Sequence, residues 1–195
     1  MEADWEMEIG GEAEVIDAAW PGFVDLRLWP ERVAELSEVT AFPALGHVLQ
    51  NLNRAPSAVW TAKCDFWPAL EPGTWDADEL DASPKVAHHA AGCYIDLLPR
   101  SPQQWAETEV MERDCRALCT LLKTVPLPGC RADLIVRRAW ITPEQSTNGI
   151  TAYLTACGST ETTATVRLAA CLNAFLHVVL DTSRGIPQIP DSTIQ

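Results

Sequence analysis

The chain has 195 residues, of which 47% are apolar and 21% charged, and it carries a formal net charge of −13. A chain of this size buries roughly 70% of its unfolded surface, enough for a stable core without disulfide or metal staples. The composition excludes a collagen-like or disordered protein, and the acidic balance excludes nucleic acid as the default partner, because phosphate binding needs a basic stripe.

The opening run "MEADWEMEIGGEAEV" lacks the basic and apolar regions of a secretory signal, and no unbroken apolar run approaches the ~18 residues of a membrane span. The expectation is a soluble, cytoplasmic protein with no membrane contact. Seven cysteines, with no CxxC pair, sit mostly inside apolar periodic segments, where free cysteine acts as a small hydrophobe.

Charge is unevenly spread. Residues 1–38 hold eleven acids against Arg27 and Arg32, whereas residues 82–140 hold eight bases against six acids. The acidic start reads as a flexible arm over 1–20, able to dock on the basic middle of its own chain or of a twin subunit. Residues 21–185 then form one α+β domain and 186–195 an irregular tail.

In chain order, "GFVDLRLW" (22–29) alternates as a strand. Pro30 opens a helical stretch to about Asn53, broken near Phe42 because Pro43 removes a helical hydrogen bond. "SAVWTAKCDFWP" (57–68) is a strand, with Trp60, Ala62, Cys64 and Phe66 assigned to one face and Lys63 and Asp65 to the other. A long acidic connection follows to Gly92, and its length marks it as functional or mobile.

"CYIDLLP" (93–99) resumes an extended pattern. Ser101 and Pro102 start a helix to Val125, with an apolar stripe at Met111, Cys115, Leu118 and Leu122. "CRADLIVRRAWIT" is a strand, "PEQSTNG" a turn, "ITAYLTACG" a strand, and a final helix runs from about Ser159 to Asp181. That helix is apolar almost all round, which predicts deep burial or use in self-association.

This order predicts an α+β fold: a largely antiparallel sheet of four or five strands with helices packed on one face, built as two strand-strand-helix units in series. The helix-free face then displays Lys63, Asp65, Asp96, Asp133, Arg137, Tyr153 and Thr155. Lys63, Asp65, Asp96, Arg137 and Tyr153 are the candidate ligand-binding residues. A solvated sheet face needs no ligand to be stable, so function requires a cover over it, from the N-terminal arm or the 69–92 loop. Under a cover the carboxylates lose water, and one of them gains the raised pKa of a general acid or base.

His88, His89, Cys93 and the run "DADELD" match no zinc or EF-hand spacing, and there is no phosphate loop, GxSxG elbow or dinucleotide fingerprint. No metal and no cofactor are expected. The first functional reading is a binding or regulatory module that takes a small molecule or protein partner on the polar sheet face or on loops around Trp67 and Trp75. A small enzyme with carboxylate and lysine acid-base chemistry is the alternative, and a structural subunit dimerising through its last helix is the third.

Overall fold

The computed structural model describes residues 1–18 and 20–185, and the expected tail over 186–195 lies outside the described residues. The elements are β1 (Glu2–Glu8), β2 (Ile16–Asp17), α1 (Ser37–Ala41), α2 (Pro43–Asn53), β3 (Val59–Trp67), β4 (His89–Pro99), α3 (Thr108–Lys123), β5 (Cys130–Thr142), β6 (Gln145–Gly158) and α4 (Glu161–Gly185).

The fold is α+β around a six-stranded sheet of order β1-β5-β6-β4-β3, with β2 also pairing β5. The sheet is mixed, which corrects the largely antiparallel sheet of four or five strands. From β5 through β3 every pairing is antiparallel, whereas β1 and β2 both run parallel to β5. Residues 2–8, expected as part of a loose arm, are therefore an edge strand. Met1, Ala3, Trp5 and Met7 alternate into the core and supply the apolar contact that holds it, while its acids point the other way.

The helices α2, α4 and α3 lie side by side over one face of the sheet. Ala91, Cys93, Ile95 and Leu97 of β4, Cys130, Ala132, Leu134 and Val136 of β5, and Ile150, Ala152, Leu154 and Ala156 of β6 meet them. α4 starts at Thr160, whose hydroxyl accepts the Thr163 N–H at 3.1 Å. Its Leu168, Cys171, Leu172, Phe175 and Val179 are spent inside this layer. By length and composition alone, Glu161–Thr182 with mean hydropathy 1.5 would suffice to cross a membrane, a test that core helices also pass.

Three sequence expectations shift. The run 22–29 is not a strand: Asp25 closes a local turn by accepting the Arg27 N–H at 2.9 Å, and its carbonyl takes the N–H groups of Leu28 and Trp29. The turn over "PEQSTNG" shrinks to Pro143 and Glu144, because Thr142 already pairs Gln145 and β6 continues through Asn148 and Gly149. The face assignment along β3 reverses in its first half: Thr61 pairs Leu97 but Cys64 pairs Ile95, so an extra residue is inserted at Ala62–Lys63. Val59 and Thr61 consequently face the helices, and Trp60 and Ala62 face away from them.

Both ends of the helix-free face are covered. Residues 14–18 and 20–26 lie across one end as a strap, with Ile16 and Ala18 packed on Trp60, Ala62, Leu98 and Ala139. The 69–88 segment covers the other, where Leu70, Trp75, Ala77, Leu80 and Ala87 pack on Ala90 and Cys157. Gly149 sits under the strap, where an added Cβ would come within 2.8 Å of Ile16 Cδ1 and 2.9 Å of the Leu97 carbonyl oxygen. Gly149→Ala is expected to lower unfolding free energy by about 1–3 kcal/mol, read from urea denaturation, because the strap and the β4 backbone cannot both move away.

Candidate functional site

Between strap and loop the sheet presents a floor whose side chains stand in rows set by the strand register. One row runs Asp65, Tyr94, Tyr153, Asp133, Asp4 across five strands. Beside it on the strap side runs Asp96, Thr151, Ile135, Glu6, with the bulged Lys63 at the β3 end. On the loop side runs Trp67, Gly92, Thr155, Arg131, Glu2. All five sequence-derived candidates, Lys63, Asp65, Asp96, Arg137 and Tyr153, thus belong to the helix-free side.

They do not form one cluster. Arg137 lies at the β1 side, paired with Glu8 at 3.0 Å and Glu14 at 2.9 Å, and only 11% of its side chain is exposed. Burial works against its charge, but Tyr153, Glu8 and Glu14 outweigh that and hold its pKa above the ordinary value. Two acids of the first fourteen residues therefore pair with Arg137 of their own chain. Lys63 lies at the opposite edge, 6.0 Å from the Trp20 ring centroid, without a hydrogen bond or ion pair among the described residues.

Asp96 occupies the centre. It is 5% exposed, and its Oδ1 accepts the Thr151 hydroxyl at 2.6 Å. Loss of water raises its pKa, and the Thr151 hydrogen bond and the more distant Lys63 and Arg137 offset this only in part. No ion pair reaches it among the described residues. Asp65 turns its Oδ1 back on the Phe66 N–H at 2.7 Å.

Three further residues belong to the floor, of which sequence reasoning names Trp67 only as part of a loop and leaves out Tyr94 and Thr151. Trp67 and Tyr94 have ring centroids 5.8 Å apart, and Tyr94 and Tyr153 5.7 Å, so an aromatic row crosses β3, β4 and β6. Burial lifts the Tyr94 hydroxyl to about 12, with Asp96 and Asp65 adding to the shift, so it stays a donor at neutral pH. The alternation of Tyr94 with Asp96 in "YID" carried that signal. Thr151, the third, could not be singled out, because its partner lies 55 residues away.

Among the described residues no three His, Cys, Asp or Glu side chains converge as a metal-binding set. Cys64 and Cys115 are pushed up to about 12 by burial, which keeps both thiols protonated and unsuited to nucleophilic attack. Compared with known proteins, the chain matches no family model, no curated protein and no solved structure.

The buried carboxyl has a measurable consequence. Asp96 holds its proton more tightly folded than unfolded, so stability falls as pH rises from the unfolded pKa through the folded one, and the penalty persists above it. Asp96→Asn cannot ionise. Its melting temperature relative to the parent is expected to climb as the pH rises above the ordinary carboxylate pKa, and parallel curves for the two proteins would contradict a desolvated carboxylate.

Proposed function

We propose that the chain is a soluble, cytoplasmic binding module whose working surface is this trough, and that the group it receives is positively charged. The observation that carries the reading is Asp96: a carboxylate almost wholly withdrawn from water, held by one neutral hydroxyl and given no counter-ion. Such a group is costly alone and favourable once a cation arrives.

The surroundings support the same chemistry. Trp67, Tyr94 and Tyr153 offer ring faces that attract cations. Asp65, Asp4, Glu6 and Glu8 line the same side, and the chain as a whole is strongly acidic, which speeds encounter with basic partners. Five strands at their usual spacing make a floor about 19 Å across, the length of an extended segment of about six residues. A lysine- or arginine-bearing segment of a protein partner suits that span.

One observation favours a second reading. The raised pKa of Asp96 is what a general acid requires, with Tyr94 as a neighbouring donor. The proposed acid-base pairing with Lys63 has less support, since Lys63 lies at the β3 edge beside Trp20.

Fluorescence titration with a labelled hexalysine peptide tests the binding reading. Any acidic protein attracts a polycation at low salt, so the informative comparison is at about 0.15 M salt, where exposed charges are screened beyond ~8 Å. Asp96→Asn and Tyr94→Leu are each expected to weaken binding about ten-fold there, in line with the loss of a buried charge contact or a ring-face contact. Equal affinity for the parent and both variants would discard the trough as the binding surface.

A further inference from the structure

At the β3 end of the trough, a cavity of about 260 Å³ lies between the strap, α2 and the middle of β3, with Tyr94 of β4 on its wall. Its walls include Val24, Leu26, Leu36 and Leu49, and the Cys64 thiol adds a neutral side because burial keeps it protonated. Among the polar residues against these apolar walls, Thr61 already accepts from the Asn53 amide and Tyr94 faces the trough, which leaves the Trp20 indole, the Lys63 ammonium and the Glu38 carboxylate.

Among the described residues none of the three has a hydrogen-bond or ion-pair partner, and Lys63 meets only the Trp20 ring, 6.0 Å from its centroid. Trp20 Nε1 is the one buried side-chain nitrogen or oxygen without a hydrogen bond among the described residues. Lys63 and Glu38 make no ion pair there either. The sequence builds this deliberately rather than by slack packing. Trp20-Pro21-Gly22-Phe23 is a tight turn, closed by the Phe23 N–H on the Trp20 carbonyl at 3.2 Å, with Gly22 at φ +96°. Gly22 lies so close to the indole that a Cβ there would come within 3.1 Å of the ring, so the turn holds Trp20 against the strap. The β3 bulge places Lys63 at the same cavity.

We propose that this cavity binds a free apolar α-amino acid. Its carboxylate lies between the Lys63 ammonium and the Trp20 indole N–H, which are two donors without acceptors. Its ammonium lies on Glu38, and its side chain fills the space among Val24, Leu26, Leu36 and Leu49. A simple carboxylic acid would leave Glu38 facing a like charge, and a simple amine would leave both donors idle. Only a ligand carrying both charges on an apolar body satisfies all three groups, because an unpaired polar group in such a site costs affinity. The cavity shares Lys63 and Tyr94 with the β3 end of the trough, whereas Trp20 and Glu38 belong to it alone, so variants of those two residues test this reading apart from the trough's.

Isothermal titration of the full chain with L-phenylalanine, 3-phenylpropionate and 2-phenylethylamine separates the charges on a constant apolar body. L-Phenylalanine is expected to bind at least about ten-fold more tightly than either singly charged analogue, the loss typical of one charged hydrogen-bond partner. Trp20→Phe keeps a ring and removes the N–H, Lys63→Met keeps the stem, and Glu38→Gln keeps the shape. Each is expected to weaken L-phenylalanine about ten-fold with an unchanged urea midpoint, and Glu38→Gln is expected to narrow the gap to 3-phenylpropionate. If Trp20→Phe lowers the urea midpoint, Glu38→Gln, a partly exposed position, decides the matter alone. Equal binding of the three probes, parent-like affinity in Glu38→Gln, or no heat with L-phenylalanine, L-leucine and L-isoleucine would overturn the proposal.

Discussion

β6 is hydrogen-bonded along both of its edges, to β4 and to β5, and its register decides which side chains of the other strands stand in line. Tyr153 opposite both Tyr94 and Asp133, and Thr151 opposite both Asp96 and Ile135, are consequences of that double pairing. A slip of one residue would turn the tyrosines into the helix layer and bring Leu154 and Ala152 out to water. The apolar residues that α4 covers therefore hold the polar floor in place as firmly as they hold the core.

The floor's electrostatics are uneven for a structural reason. Where β1 lies beside β5, Glu8 and Glu14 compensate Arg137, and Arg131 compensates Asp133 at 2.8 Å. Toward β3 no such pairing occurs among the described residues, where Lys63 meets an aromatic ring and Asp96 a hydroxyl instead. Strap and loop close the two ends of the floor, and the strap's Glu14 goes to Arg137 rather than to Asp96.

Much of this arrangement was legible in the residues. The stripe of α3, the break at Phe42, and the alternation in β4, β5 and β6 follow directly from side-chain periodicity, because those segments each bury a single face. β3 misled because a bulge adds one residue to the count, and a period of two has no tolerance for an insertion. β1 was hidden by its charge: Ala3, Trp5 and Met7 do alternate, but four acids between them read as a solvated arm. The strap leaves no periodic signal, since its hold on the sheet rests on a few anchors, Ile16, Trp20 and Phe23, placed by turns. Its separate contact with Lys63 and the Glu14 pair with Arg137 join residues far apart in the chain, which no local pattern encodes.

β1 ends the sheet, so one row of its backbone donors and acceptors has no strand beside it. Such an edge invites a second molecule to add on. Glu2, Asp4, Glu6 and Glu8 all project to the same side, so two copies aligned along this edge would bring carboxylates face to face. The run of acids that disguised the strand thus acts as a guard against edge-to-edge aggregation.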